Sequence, residues 1–246
     1  MKAILPHTIT IQNGSNLGFA KAVNIGLRRS DGRYICLLNP DTVAADNFLQ
    51  VGLDYLTAHP NVGALGPKIY SDDGSVQGSA RSFPTLLTSL FGRTSWLTKT
   101  FPNNRFSKKN MVNIGYDSAE PLEVDWISGA CMLVSREALD HIGRLDERFF
   151  MYWEDADWCR RMRRGGWQVV YYPKSSIVHA CGQSSKTRPL KSIFHFHISS
   201  YRLYEKYTHG CHGWLLPVVL LGIGARMTLM MMITVLAQAT HRRLGR

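Results

Sequence analysis

The sequence predicts an α/β fold. Short apolar, β-branched runs alternate with amphipathic stretches from Ile9 to Pro173, and clusters of Gly, Asp, Asn and Pro separate them. Alternation of this kind is the pattern of a sheet covered by helices.

Ile9–Gln12 reads as a first short strand, and Asn13-Gly14-Ser15-Asn16 as its turn. Leu17–Arg29 carries apolar residues at helical spacing and basic residues at 21, 28 and 29, which predicts an amphipathic helix. Ser30-Asp31-Gly32 breaks it, and Tyr34–Leu38 reads as a buried strand. Strand, helix and strand in this order predict a βαβ unit of a parallel sheet. Thr42–His59 reads as a helix ending before Pro60, and Val62–Tyr70 as a strand turned by Ser71-Asp72-Asp73-Gly74. Arg81 to Ile114 reads as a long irregular excursion. Ser128–Val134 is then a strand, Arg136–Ile142 a short helix, and Asp155–Arg164 a helix stopped by Gly165-Gly166. Gln168–Tyr172 is a strand stopped at Pro173.

Composition narrows the function classes. The 246 residues carry 29 basic and 18 acidic side chains, a formal charge of +11. That excess fits nucleic acid, or an anionic membrane surface with a phosphate-bearing substrate. The basic residues crowd at Arg160–Arg164 and Arg242–Arg246 beside apolar sequence, and no nucleic-acid motif accompanies them. The membrane and phosphate reading is preferred, with no nucleic acid as partner. The five cysteines form no CxxC pair and read as reduced cytosolic thiols. His209-Gly210-Cys211-His212 has metal-binding residue types without an established ligand spacing. Met1–Pro6 is too short for the apolar region of a secretory signal.

Three features carry chemistry. Asn39-Pro40-Asp41-Thr42 ends the Tyr34–Leu38 run, so Asp41 emerges at a strand's carboxyl end, where α/β sheets bind ligands. A plain turn and helix cap would use the same residues. Further on, Glu154, Asp155 and Asp157 fall within four residues, flanked by Phe150, Tyr152, Trp153 and Trp158. Acids in a first helical turn complement the helix dipole. Aromatic neighbours add something the dipole does not need, because apolar surroundings raise a carboxyl pKa toward general-base use. His179 follows the strand-like Ser176-Ile177-Val178.

These segments together resemble the inverting glycosyltransferases of family 2, in their rhamnosyltransferase-like branch. The matching residues are Asn16-Leu17-Gly18-Phe19-Ala20 with Asn24-Ile25-Gly26, Leu37-Leu38-Asn39-Pro40-Asp41-Thr42, Trp126 to Val134, Gly143 to Arg161, and Val178-His179. They run in family order from about Ile9 to Ser185. The resemblance implies a GT-A fold, a Rossmann-like nucleotide-diphospho-sugar transferase architecture. It implies that Asp41, with Asn39 in place of the first acid of a DxD motif, binds a divalent cation, Mg²⁺ or Mn²⁺, and that His179 completes the site. Asp155 takes the position of the catalytic base, with Glu154 supporting or sharing that role. Asn16, Gly18 and Asn24 take the nucleotide-sugar side, Trp126 and Gly129 the acceptor side, and Asn39 and Asp157 are grouped with the substrate-binding residues. The implied partners are a nucleotide-diphospho-sugar donor such as dTDP-rhamnose and a glycan or lipid-linked acceptor. Family members ordinarily carry a further strand–helix–strand block ahead of the segment matching Ile9, so the fold is expected to be N-terminally incomplete.

Beyond the matched region, Trp214–Ala239 is apolar apart from Arg226, Thr228, Thr234 and Gln238. As a helix rising ~1.5 Å per residue it would extend about 39 Å, enough for a bilayer. Arg226 near its centre would cost roughly 2.5–3.5 kcal/mol there, and basic residues flank both ends. A spanning helix, a helix in the interface, a hairpin broken near Gly222-Ile223-Gly224 and a soluble packed helix are all compatible, with membrane association preferred. Two units are therefore expected: residues 1–190 as the glycosyltransferase-like domain and 191–246 as a helical membrane-associating segment. Sugar transfer at the cytoplasmic membrane face is the leading reading. The alternative is a catalytically inactive, truncated glycosyltransferase-like partner protein.

Overall fold

A computed structural model of the chain describes residues 7–84, 110–180, 187–208 and 213–244, with side chains through residue 240. Its elements are helix α1 (Phe19–Leu27), strands β1 (Tyr34–Leu38) and β2 (Thr42–Ala44), helix α2 (Phe48–Ala58), and strands β3 (Val62–Tyr70), β4 (Ala80–Arg81), β5 (Leu122–Glu123), β6 (Trp126–Ile127) and β7 (Cys131–Ser135). Helices α3 (Arg136–Ile142) and α4 (Glu154–Arg164), strand β8 (Gln168–His179) and helices α5 (Pro189–Tyr207) and α6 (Leu216–Leu244) follow. The main sheet runs β1-β7-β3-β8-β2, with β5 also pairing β8, while β4 and β6 form a separate pair.

The α/β class holds, but the sheet is mixed rather than parallel. Only β3 and β8 pair in parallel; β1 with β7, β7 with β3, β8 with β2 and β8 with β5 are antiparallel. The expected βαβ opening is absent because Ile9–Gln12 lies outside any strand, with Ile9 exposed. β1 is an outer strand instead of a buried one: Ile35 alone is buried along it and Leu38 is exposed. Thr42–Ala44, expected in a helix, pairs with the end of β8, so the following helix starts only at Phe48.

The expected stop at Pro173 also gives way. β8 continues to His179, because Tyr172 pairs with Pro67 while Ser176 pairs with Lys68, leaving residues 173–175 as a bulge. A proline is tolerated there because the bulge demands no ladder N–H. Ser175, buried in that bulge, donates its hydroxyl to the Phe48 carbonyl at 3.1 Å and pins α2 to it. The result carries the chain's polar segment after Val178 to the same end of the sheet as Asp41.

Two apolar clusters flank the sheet. Phe48, Leu56, Leu65, Leu133, Val170 and Ile177 pack under α2. Ala20, Leu27, Ile127, Met132, Trp158, Met162 and Tyr171 fill the opposite side under α1 and α4. Of the irregular stretch from Arg81 to Ile114, Leu86–Leu90, Trp96 and Phe101 lie outside the described residues. Its ends close on each other through an Arg81–Met111 bridge.

The boundary expected after residue 190 falls two residues inside α5, which packs on the rest of the fold. Asp157 on α4 is wholly buried. One of its oxygens accepts from Arg161 at 3.0 Å, and the other from Lys206 at 2.6 Å and Tyr207 at 2.7 Å. Ser199 donates to the Met151 carbonyl at 2.9 Å. The Arg160 guanidinium lies 4.0 Å from the Tyr207 ring centroid. α6 pairs with α5 rather than with the sheet, and leaves Val218, Leu221, Leu229, Met232 and Leu236 exposed.

Removing one partner of a buried ion pair leaves the others uncompensated. Asp157→Ala should therefore cost about 3 kcal/mol, the low end for such a loss because Arg161 and Lys206 keep some water contact. Chemical denaturation of both proteins measures this, and unchanged stability would refute the docking role of Asp157.

Candidate active site

Asn39, Asp41, Gly129, Asp155 and His179, all singled out in the sequence, come together at one end of the sheet. Asn39-Pro40-Asp41 follows β1, His179 ends β8, and Gly129-Ala130 leads into β7. The Asn39 N–H donates to the Ala130 carbonyl at 2.9 Å. The Gly129 N–H donates to Asp155 Oδ2 at 3.0 Å. Two consecutive residues thus tie the Asp41 turn and the Asp155 carboxylate to one point of backbone, adjacent Cα atoms being ~3.8 Å apart.

Asp41 and His179 meet directly. Thr42 pairs with His179 in the β2–β8 ladder, and the Ala180 N–H donates to the Asp41 carbonyl at 3.0 Å. That register sets Asp41 Oδ1 3.2 Å from His179 Nε2. The other ring nitrogen, Nδ1, lies 3.2 Å from Gln77 Oε1. Both oxygens facing the ring accept, so a cation taking the place of the Nε2 proton would leave Nδ1–H to donate to Gln77 and an Nε2 lone pair for the metal. Octahedral ligands about 2.1 Å from a cation lie about 3 Å from one another, so this pair fits two adjacent positions around Mg²⁺ or Mn²⁺. Among the described residues no third His, Cys, Asp or Glu closes with them, so further oxygens would come from substrate or water. His209-Gly210-Cys211-His212 lies outside the described residues.

The acidic cluster sits in the first turn of α4. The chain enters it through Tyr152 and Trp153, both with φ of 71°, a left-handed conformation that costs non-glycine residues of order 1–3 kcal/mol each. Bonds on both sides hold it there: the Phe19 N–H donates to the Phe150 carbonyl at 2.7 Å, and the Asp157 N–H to the Trp153 carbonyl at 2.9 Å. Gly18 makes the first of these possible. Its φ of 84° and ψ of 167° suit glycine alone, and a Cβ there would lie 2.3 Å from the Phe150 oxygen.

The three acids point to different partners, as ~100° per residue requires. Asp155 is half-buried and accepts from the Gly129 and Ala156 N–H groups, at 3.0 and 2.8 Å. Burial raises its pKa; those two N–H groups and the Arg81 charge oppose the rise. Glu154 is almost fully buried, and burial first, then the Asp155 charge, push it up to about 8. At neutral pH Glu154 is therefore the protonated acid of the pair, and Asp155 the better base. Glu154 Oε2 and Trp153 Nε1 are buried and find no hydrogen-bond partner among the described residues. Each such atom calls for a partner that a hydroxylated ligand can supply.

Some expected substrate contacts are structural. Asn24 is buried and clamps the loop after α3, bonding the Leu145 N–H and carbonyl and Glu147 Oε1. Asp157 holds α5 instead of facing the cleft. Asn16 caps the Gly18 N–H at 3.0 Å, and Gly18 accommodates Phe150, so both shape the loop that leads to the acids. Trp126 stays with the cleft: its Nε1 donates to the Ser82 carbonyl, and its ring lies 5.9 Å from that of Trp153. Two residues went unforeseen, Gln77 beside His179 and Arg81, whose guanidinium lies 5.1 Å from the Trp126 ring centroid. The basic character of Arg81, seven residues beyond the Asp73-Gly74 turn, is visible in the sequence, but only the fold shows what it faces.

The family model for "Glycosyltransferase like family 2" matches residues 1–194. The chain is 33% identical over 209 residues to the N-acetylglucosaminyl-diphospho-decaprenol L-rhamnosyltransferase of Mycobacterium tuberculosis (strain CDC 1551 / Oshkosh), covering 80% of this chain and 66% of that protein. It therefore spans a little under two thirds of that relative. It is 25% identical over 196 residues to the rhamnosyltransferase WbbL of Escherichia coli (strain K12), covering 76% of this chain and 70% of that one. GalNAc-T7, solved with UDP, GalNAc and Mn²⁺, aligns at a TM-score of 0.48 and 15% identity, over 69% of this chain and 32% of its own. At that distance residue roles rest on this chain's own geometry. By the extent of the family match, the chain belongs to glycosyltransferase family 2.

Proposed function

We propose that the protein transfers a sugar from a nucleotide-diphosphate donor to a glycan or lipid-linked acceptor in a single inverting displacement. Rhamnose is the favoured sugar, in keeping with the names of the relatives in Mycobacterium tuberculosis and Escherichia coli, and dTDP-rhamnose is the donor we propose for it. One observation carries this reading. A carboxylate with a raised pKa, oriented by the Gly129 N–H, shares two residues of backbone with the turn that bears Asp41.

In the proposed step the acceptor hydroxyl oxygen attacks the anomeric carbon, and Asp155 takes the hydroxyl proton. The new C–O bond forms as the bond to the diphosphate breaks, and the nucleoside diphosphate leaves with the bonding electrons. Asp41 and His179 would hold the divalent cation. Bound there, it would offset charge on the departing diphosphate. Protonated Glu154 and the Trp153 indole N–H would donate hydrogen bonds to sugar or acceptor oxygens. The exposed apolar face of α6 would rest on the membrane; Gly213–Thr240 is long and apolar enough to cross one, with a mean hydropathy of 2.0. The cytoplasmic face is the side where nucleotide sugars would be met.

Asp155→Asn should lower the transfer rate by about 10²–10⁴-fold, the usual effect of losing a general base, with donor affinity little changed. Glu154→Gln, which keeps a hydrogen-bond donor, should retain most of the rate at pH 7. Because the base must be ionised, the rate should rise with pH along an acid limb lying above the ordinary aspartate range. Rates of transfer measured from pH 4 to 9 for the three proteins test this, and parental transfer by Asp155→Asn would remove Asp155 from the mechanism. Asp41→Asn and His179→Ala should each weaken Mn²⁺ binding, read by electron paramagnetic resonance without substrate; parental binding by both would end the cation assignment. Finally, deletion from Trp214 onward should move the protein from the membrane to the soluble fraction with α5 still in place. A full-length chain found soluble at ordinary salt would refute the membrane role.

A further inference from the structure

Gln77 belongs to none of the segments that carry the family resemblance, yet it is fixed on every side. Its N–H donates to the Ile69 carbonyl at 2.8 Å, and its own carbonyl accepts from Asn113 Nδ2 at 2.8 Å. Its side-chain Nε2 donates to the His179 carbonyl at 2.8 Å and, at 3.5 Å, approaches that of Tyr70. With Nε2 committed to carbonyl oxygens, Oε1 is the atom left for the imidazole, 3.2 Å from Nδ1. An amide oxygen can only accept, so Nδ1 keeps a proton for it. Asp41 Oδ1, 3.2 Å from Nε2, accepts too, so the Nε2 lone pair becomes available to a cation only where the cation takes the place of a proton between the two.

We infer that Gln77 is a positioning residue of the cation site, fixing the tautomer and ring orientation of His179 so that Nε2 and Asp41 Oδ1 face the same divalent ion. The inference rests on the reading of Asp41 and His179 as the cation's ligands. A histidine ligand generally donates its second ring N–H to a fixed acceptor, and losing that acceptor weakens metal binding. A purely structural glutamine, stitching the turn after β3 to the end of β8, would need only the Nε2 bond to the His179 carbonyl. The Oε1 bond is the part that serves the ring.

The two roles separate experimentally with the full-length chain and Mn²⁺ alone as the probe. Gln77→Met keeps the side-chain length and loses both bonds. Gln77→Glu keeps an acceptor for Nδ1–H and loses the donor to the backbone. Electron paramagnetic resonance should show Mn²⁺ bound about 10–100-fold more weakly by Gln77→Met, the range for loss of a ligand's supporting bond. Gln77→Glu should bind close to the parent. In a His179→Ala background Gln77→Met should have no further effect. Long-range ¹H–¹⁵N correlation spectra of the parent saturated with Mg²⁺, which is diamagnetic, at pH 8 should show His179 protonated on Nδ1 alone. Weakening by His179→Ala without weakening by Gln77→Met overturns the role of Gln77 and leaves the ligands standing. An Nε2-protonated ring in the Mg²⁺-saturated parent overturns it too, and that readout serves even if Gln77→Met fails to fold. Parental Mn²⁺ binding by His179→Ala overturns the ligand assignment itself, and this inference with it.

Discussion

The first turn of α4 has to place three carboxylates within four residues and keep their charges from defeating one another. The helix does so by direction. Asp157 turns inward to Arg161, Lys206 and Tyr207, where cations and a hydroxyl neutralise it. Asp155 turns to the backbone N–H groups of Gly129 and Ala156, which stabilise a negative charge without cancelling it. Glu154 has its own backbone N–H in its favour, too little to offset burial beside Asp155, which holds it protonated. The helix dipole favours all three at this end. The differences between them come from tertiary partners, so the chemistry of the turn depends on α5, β7 and the Gly18 loop being in place.

That dependence explains why the loop before α4 accepts strain. Two consecutive non-glycine residues in the left-handed region, Tyr152 and Trp153, redirect the chain sharply into the helix. The turn is clamped by the Phe19 N–H on one side and the Ser199 hydroxyl on the other. The Phe196 ring, 5.4 Å from that of Trp153, closes over it. Strain at such a point persists only where the surroundings over-determine it. Here they do so by bringing the α1 loop and the α5 helix to the same three residues.

Much of this was legible in the sequence, for identifiable reasons. Asp41, His179 and the acidic cluster stood out because charged groups at the ends of apolar runs need an explanation, and their motifs are local. The strands failed where tertiary context overruled local pattern. Ile9–Gln12 has strand propensity and no neighbour to pair with among the described residues. Thr42–Ala44 has the alternative of a helix start, but β8 offers it a ladder. Pro173 would end most strands, yet a three-residue bulge absorbs it. The substrate-side places of Asn24 and Asp157 come from the family resemblance of the segments that hold them. Their own side chains turn the other way, which spacing alone does not reveal. Gln77 and Arg81 could not be found by motif, since their partners lie 102 residues away and on a separate strand pair.

The tail follows the same rule that a charge is read by its partners. Arg226 lies near the middle of an apolar helix, where in hydrocarbon it would be the costliest residue. In the fold it faces neither lipid nor water alone: one guanidinium nitrogen is 3.4 Å from His197 Nε2, and its charge lies 5.9 Å from the Phe196 ring centroid. His197 Nδ1 is in turn 2.7 Å from the Ile193 carbonyl within α5. The inward side of α6 is thus specified by polar and aromatic contacts, and its outward side by Leu221, Leu229 and Leu236. A helix apolar around most of its circumference has no intrinsic front or back. Arg226 supplies one, and ties that choice to Phe196, the same aromatic ring that closes over Trp153 and the first turn of α4.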